Sequence, residues 1–443
     1  MLLKFSVENF LSFYDRQEIS FDHEYNSANA FKNNTIFEYK DNKKKRAVLN
    51  GGIIFGPNAA GKSNLSNALS QMRKYYLDSI KFDKKNDLTL RLKGFEFVEN
   101  KKKPITFSVE FMECIGGNYY KIIYSFSINC NSHLVENESL SYQKVLKTTL
   151  SNEVIIFERT RDIIENFSKD IKEIINKIKQ ENLKHKLVLS LLNFDINESF
   201  FKNDIATTTY KIIEVCGNSI EKNLVFSHDD QTHSMDEFIE GINTNPKFKE
   251  YILSSLYKFD FALTDFEIQD ITDEFIDSLI NSHYFENVNR DKLTSQFKKY
   301  KVNTIHNVNN KEYKLPIGDE SAGTKKFLYH SLKIYESILM EKMYISDEFD
   351  SHYHIYLQEG IIKNFIYQES QSKTQFLLIT HNPLLLDNSF FSKEQVYFVD
   401  KDRFNQNSQI FSLKEFNNVS YNNHNWLHLY LDGRLGAVPE VFD

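Results

Sequence analysis

The sequence predicts a mixed α/β fold: a core that carries a glycine-containing loop between strand and helix, an antiparallel β-lobe and a helical insertion. Three observations predict it. An apolar run, Gly52–Phe55, leads directly into Gly56-Pro57-Asn58-Ala59-Ala60-Gly61-Lys62-Ser63, and a helix-like run from Asn64 to Leu69 follows. Between Gly94 and Arg159 apolar residues recur with the period of two that marks half-buried strands. Between 160 and 255 the spacing changes to three and four, as on one face of a helix.

In chain order, residues 1–22 read as two short strands around Asn9-Phe10-Leu11-Ser12-Phe13. Met1–Glu8 alternates like a strand, so no signal peptide is expected. Residues 23–45 are polar and run into Lys43-Lys44-Lys45-Arg46, which predicts a solvated loop. The next segment fits G-x-x-x-x-G-K-[ST] in its required setting of strand, glycine loop and helix. At average residue usage the pattern arises by chance in only about 1 in 50 chains of this length, so a nucleotide site is the reading taken forward. Gly56 and Gly61 let the backbone N–H groups turn onto a β-phosphate, Lys62 adds a point charge, and Ser63 is placed to hold Mg²⁺. Gly56, Pro57, Asn58, Ala59, Ala60, Gly61, Lys62, Ser63 and Asn64 are thus the candidate nucleotide-binding residues.

One helix is expected over 62–80, then strands at Gly94–Val98, Ile105–Phe111, Tyr119–Ile128 and Glu153–Arg159, with a turn at Gly116-Gly117-Asn118. Ile163, Ile164, Phe167, Ile171, Ile174, Ile175 and Ile178 open the helical stretch. Strand signals return at Phe261–Ile271 and Tyr300–Ile305. The expected domains are 1–159 (phosphate loop and β-lobe), 160–255 (helical insertion) and 256–443 (C-terminal lobe).

Composition excludes several classes. Hydrophobic residues at 41% and charged residues at 26% describe an ordinary water-soluble protein, and 38 Phe with 24 Tyr read first as core packing. Cys114, Cys130 and Cys216 lack C-x-x-C spacing, so neither a disulfide framework nor a zinc site is indicated, and a reducing, cytoplasmic setting is expected. No apolar run approaches the ~20 residues of a membrane helix. The segment 161–310 holds 18 Lys and Arg against 25 Asp and Glu, which accounts for the whole net charge of −7. Bulk charge therefore gives nucleic-acid binding no support.

The C-terminal lobe completes the nucleotide chemistry. Met343-Tyr344-Ile345-Ser346-Asp347-Glu348 is an apolar strand ending in two carboxylates. Asp347 suits the Mg²⁺ shell, and Glu348 suits polarising the attacking water. Gln375–Ile379 is a second apolar strand, ending in Thr380-His381, where His381 is placed to meet a γ-phosphate or the attacking water. Glu320-Ser321-Ala322-Gly323-Thr324 is a polar turn opening a helix of about 324–341, with Ser321 as its cap.

These elements, in this order, resemble the ABC/SMC-type ATPases, and the fold that the resemblance implies is an ABC/SMC-type P-loop ATPase head with an antiparallel β-lobe and a helical insertion domain. Glu320–Thr324 looks like the signature turn that completes the γ-phosphate site of another subunit. Asp347-Glu348-Phe349-Asp350 looks like Walker B running into the D-loop, and His381 like the switch histidine. Phe5–Phe13 is similar to the first strands of RecF- and SMC-like heads. With His354 and the ending Tyr430-Leu431-Asp432-Gly433-Arg434-Leu435-Gly436-Ala437-Val438-Pro439, the set resembles the RloA/AbiLi-type AAA family of bacterial phage-defence loci, relatives of the ATPase part of OLD nucleases. Two departures stand out: Ile355 follows His354 where that family usually has proline, and Gln143 is only a candidate for the Q-loop.

The resemblance implies ATP and Mg²⁺ as cofactors and Ser321, Gly323 and Thr324 as binding residues contributed in trans. It also implies a homo-oligomer, with an effector from the same locus, of RloB/AbiLii or Toprim-nuclease type, as partner. Too few residues follow Phe390 for a Toprim domain of its own, and Asp400-Lys401-Asp402 reads as a strand-ending turn rather than a metal site. Two other readings remain open on the sequence: a RecF/SMC-like DNA-repair ATPase that binds DNA, and a nuclease acting alone.

Overall fold

The computed structural model describes residues 1–25, 34–82, 92–98, 103–199, 207–227, 231–281, 290, 294, 299–367, 372–386, 389–417, 419 and 426–439. The chain divides into two compact units. Met1–Ser227, Ser337–Asp350 and Ile361–Asp443 form the first, and His228–Glu336 with Ser351–Gly360 form the second.

The core of the first unit is a six-stranded sheet in the order Leu224–Ser227, Met343–Ser346, Gln375–Ile379, Gly51–Phe55, Val396–Lys401, Ser408–Ser412. The first five strands run parallel, and the sixth pairs antiparallel with Val396–Lys401. Gly51–Phe55, Met343–Ser346 and Gln375–Ile379 are buried along their whole length. A parallel strand covered on both faces reads as a continuous apolar run, which is why these three are plain in the sequence.

A seven-stranded antiparallel sheet holds, in order, Ile163–Phe167, Val154–Thr160, Val135–Lys144, Asn118–Ile128, Ile105–Ile115, Leu2–Glu8 and Gln17–Ser20. Helix Lys62–Asp78 buries Leu65, Leu69, Met72 and Tyr76, spaced by three and four, and these join Ile54 and Ile345 of the core sheet and Phe107 and Phe126 of the antiparallel sheet in one apolar cluster. Gln375, itself buried, clamps the N-terminal strand to the core: its amide nitrogen donates to the Leu2 and Leu49 carbonyls and its oxygen accepts the Leu2 N–H at 2.6 Å.

Three local expectations change. The polar stretch 23–45 contains not a loop but a strand Thr35–Asp41 that turns back into Lys44–Leu49, with Asp22–Glu24 alongside. The lysines mark the turn and the exposed start of the second strand, while Ala47, Val48 and Leu49 are buried. Gly94–Val98 is not a strand: its Phe95 N–H is taken by the Asn9 side chain at 3.0 Å, and the Lys93 carbonyl just before it accepts the Leu11 N–H at 3.0 Å. The stretch 160–255 is mainly helical, but Ile163–Phe167 adds an edge strand to the antiparallel sheet and Leu224–Ser227 an edge strand to the core sheet.

The second unit has a three-stranded antiparallel sheet, Asp265–Asp270, Tyr300–Val308 and Lys311–Pro316. Phe238 meets Phe248 and Phe266 edge-on at 6.0 and 5.7 Å between centroids. Much of the phenylalanine excess is spent in such contacts. Among the described residues no helix is long and apolar enough to cross a membrane.

Candidate nucleotide-binding site

The core sheet brings three of the sequence motifs to one edge. Met343–Ser346, Gln375–Ile379 and Gly51–Phe55 are consecutive parallel strands, so their C-terminal ends, Asp347-Glu348, Thr380-His381 and the Gly56 loop, emerge side by side. In an open parallel sheet that edge is where ligands bind.

The loop is a backbone cradle that larger residues would fill. Gly56 has φ +152°, and a Cβ there would lie 2.3 Å from the Val399 carbonyl oxygen. Gly61 has φ +106°, and a Cβ there would meet Ser12 Oγ at 2.5 Å and Ser408 Oγ at 2.6 Å. Those two serines brace the loop from outside it. Ser12 Oγ accepts from the Asn64 amide at 2.7 Å, Ser408 N–H donates to the Ser12 carbonyl at 2.8 Å, and Ser408 Oγ donates to the Ala60 carbonyl. Ser63 is exposed at the first turn of the following helix, where free N–H groups favour an anion. The closely fitted glycines, the helix start and the lysine suit a polyphosphate.

Lys62 is 4% exposed, and its ammonium donates to the carbonyls of Gly56 at 2.8 Å and Pro57 at 2.9 Å. It also lies 3.2 Å from His381 Nδ1. An ammonium donating to Nδ1 requires the ring proton to sit on Nε2. Burial lowers the Lys62 pKa to about 8, against the opposing pull of Asp347, Asp350 and Glu348. Burial and the Lys62 charge likewise hold His381 below its ordinary value, the same three carboxylates opposing.

The acids are held by their own turn. Asp347 Oδ1 accepts the Glu348 N–H at 3.0 Å, and its Oδ2 lies 3.4 Å from Ser66 Oγ on the loop helix. Glu348 adopts φ +47° and is exposed, while Phe349 is buried and its N–H donates to the Ile379 carbonyl at 2.9 Å. Asp350 Oδ1 accepts the His381 N–H at 3.0 Å, which fixes the histidine backbone against the acidic turn. Ser12, Ser66, Asp350 and Ser408 were not singled out for the site by sequence reasoning. Asp350 lay within a motif already quoted, whereas Ser408 carried no local signal. Among the described residues no group of three His, Cys, Asp or Glu side chains could hold a metal by itself. A Mg²⁺ bound through one or two side chains, phosphate oxygens and water needs no such group.

Ser321, Gly323 and Thr324 lie in the second unit. Helix Ala322–Leu339 begins there, capped by Ser321 Oγ, which accepts the Thr324 N–H at 3.0 Å and shares a hydrogen bond with Thr324 Oγ1 at 2.7 Å. A Cβ on Gly323 would lie 2.6 Å from the His352 carbonyl oxygen, so backbone approach explains the glycine where capping alone does not. The preceding Glu320 accepts from Thr304 Oγ1 at 2.5 Å and pairs with His306 Nε2 at 2.8 Å. Gln143 sits in strand Val135–Lys144 and donates to the Ser151 carbonyl at 3.1 Å. Asp400–Asp402 ends its strand in a turn, with Asp402 Oδ1 accepting the N–H groups of Phe404 and Asn405 at 2.7 and 3.0 Å.

A parallel sheet with a glycine cradle, a buried lysine and two strand-end carboxylates defines a P-loop nucleotide-binding protein. The chain belongs to the family described as "AAA domain, putative AbiEii toxin, Type IV TA system", which matches residues 53–387, and is thereby an ATPase of the AAA class. No curated protein matches it. Among solved structures it is similar to the SMC head domain from Thermotoga maritima, at 14% identity over 93% of this chain and 98% of that one, with a TM-score of 0.37. It is also similar to the SmcHead bound to the C-winged helix domain of ScpA, at 12% identity over 93% and 97%, with a TM-score of 0.36.

Proposed function

We propose that this chain is a Mg²⁺-dependent cytoplasmic ATPase whose nucleotide state switches a partner effector in bacterial anti-phage defence. The supporting observation is the set of three consecutive parallel strands that carry Gly56–Ser63, Asp347-Glu348 and His381 to one sheet edge. Gly56–Asn64 would wrap the phosphates of ATP, and Lys62 would exchange its loop carbonyls for β- and γ-phosphate oxygens. Ser63 and Asp347 would hold Mg²⁺, which when bound neutralises charge on the phosphates. Glu348 would orient the attacking water, and His381, carrying its proton on Nε2 when Lys62 donates to Nδ1, would donate to the γ-phosphate. Ser321, Gly323 and Thr324 of a second copy would complete the site, making the active form a homo-oligomer.

The shared site has a direct test. Ser321→Arg alone lowers ATP turnover by about 100-fold, the scale of losing a transition-state donor. Mixing it with Glu348→Gln restores a measurable fraction, because one of the two composite sites in a mixed pair then carries neither change. Turnover that stays absent on mixing, or a Ser321→Arg chain with full activity, would falsify the trans arrangement.

The pH dependence has a definite sign. Lys62 titrates near 8 in the fold against 10.5 ordinarily. Between those values the unfolded chain holds a proton that the folded one lacks, so the cost of burying this lysine falls as pH rises. Nucleotide binding runs the other way. The affinity for Mg-ATP declines above pH 8, by at most about tenfold per unit for one linked proton. Nucleotide titrations from pH 7 to 10 read this directly, and a flat profile would remove Lys62 from the phosphate contacts.

A further inference from the structure

A cavity of about 820 Å³ lies against the phosphate loop, lined by Pro57–Ala60, by Asp400–Phe404 and Gln406, and by the C-terminal turn at Gly433 and Gly436–Pro439. It shares Pro57–Ala60 with the phosphate site, but its other walls take no part in the phosphate chemistry above. Its position follows from strand order. Gly51–Phe55 has Gln375–Ile379, the strand of His381, on one side and Val396–Lys401 on the other. Lys62, His381 and the acidic turn mark the first side as the end where the terminal phosphate is handled. The cavity is walled by the end of the strand on the second side and the turn after it, together with the phosphate loop and the C-terminal turn.

We propose that this cavity takes the sugar and base of the nucleoside triphosphate, a reading that rests on the nucleotide function proposed above. A chain of phosphates that ends beside Lys62 must lead its nucleoside away from that side, and the neighbouring concavity is this one. The lining chemistry fits. Phe404 is fully exposed at 101%, an aromatic face available for a base to stack on. Asp402 spends one carboxylate oxygen on the Phe404 and Asn405 N–H groups, and its other oxygen takes no hydrogen bond from the described residues. A carboxylate at the end of a core strand is a suitable acceptor for ribose hydroxyls, and with Lys401 and Arg403 beside Asp400 and Asp402 the wall carries no excess of positive charge to hold further phosphate. The cavity is also preformed. Tyr430 stacks on Phe398 of the second-side strand at 5.5 Å, contacts Phe55 at the end of the phosphate-loop strand at 6.4 Å, and donates its hydroxyl to the Ala437 carbonyl at 2.8 Å. The C-terminal turn is thereby held to the strand that delivers the phosphate loop. A wall already in place loses little conformational entropy when a ligand arrives.

The experiment compares ATP with inorganic tripolyphosphate, each with Mg²⁺, by calorimetry on the full chain and on Phe404→Ala and Phe404→Trp. Phe404 is exposed, so neither change threatens the fold. The expected result is that Phe404→Ala weakens ATP about tenfold, leaves tripolyphosphate unchanged, and that Phe404→Trp keeps ATP affinity. Equal losses for both compounds, or no loss for either, overturn the assignment, as does an unaltered chain that binds ATP no better than tripolyphosphate. If the unaltered chain binds neither compound, it is the nucleotide reading itself that fails.

Discussion

Arg159→Ala destabilises the first unit by about 3–5 kcal/mol, the cost of leaving a buried charge without its partner. Arg159 and Glu138 have fully buried side chains, 3.3 Å apart. The guanidinium also donates to the carbonyls of Leu183, Lys186 and Arg161. Glu138 accepts from Tyr124 Oη and from the N–H groups of Val188 and Leu189, the first residues of helix Val188–Ser199. The pair therefore pins the helix to the antiparallel sheet and satisfies its first free donors. Desolvation lifts the Glu138 carboxyl above its ordinary range, although Arg159 and the two helix amides oppose it. Removing Arg159 raises that pKa further, so the variant's folded state takes up a proton that the unfolded state releases above about pH 4.5. Its deficit relative to the unaltered chain accordingly shrinks as pH falls from 7 toward 5. Urea midpoints at the two pH values measure both effects. A loss under about 1 kcal/mol, or one that grows on acidification, would show that the carboxylate finds another partner or water.

Motifs confined to a few adjacent residues were legible, and pairings across the chain were not. Gly56–Ser63 carries its own strand, turn and helix signals within a dozen positions, and Met343–Ser346 and Gln375–Ile379 are apolar throughout. Their placement side by side followed from no local feature; it needs the parallel ladder that joins Leu377 to Gly52 and Ile345. Leu224–Ser227 is four residues long and closes a helix, so its apolar side chains extend the helical spacing until Met343–Ser346 is present to pair with it. Lys43–Arg46 shows composition misleading in the other direction. Arg46 reads as a surface charge, yet it folds onto Asp22 at 2.9 Å and anchors a hairpin. Ser12 and Ser408 brace one glycine from segments almost 400 positions apart. A lone serine has no pattern to betray it. Gly323 follows a cap that does not itself call for glycine, and the His352 carbonyl, 2.6 Å from where a Cβ would lie, supplies the reason.

Glu348→Gln lowers ATP turnover by about 10³-fold, within the range expected for losing a general base, while ATP binding persists. The acidic turn separates the two functions. Asp347 is oriented by accepting the Glu348 N–H and lies near Ser66 of the phosphate-loop helix, which on the function proposed above suits it to the metal and phosphate side. Glu348 is rotated away by its φ of +47° and exposed at the strand end. A non-glycine residue held in that backbone region costs roughly 1–3 kcal/mol, and the buried Phe349 and its hydrogen bond to Ile379 hold the turn in place. Glutamine keeps the shape and the turn but cannot take a proton from water. It also removes a negative charge from the neighbourhood of Lys62, where Glu348 is one of three carboxylates acting on the ammonium. Affinity for ATP therefore holds or rises as turnover collapses. ATP-bound oligomer then accumulates, which light scattering on a sizing column detects as a mass shift that persists in ATP and is transient for the unaltered chain. Asp347→Asn gives the opposite split, weakening Mg-ATP binding itself. If Glu348→Gln hydrolyses ATP at the unaltered rate, the water-orienting role passes to Asp350 or His381, the two groups that share the His381 backbone contact.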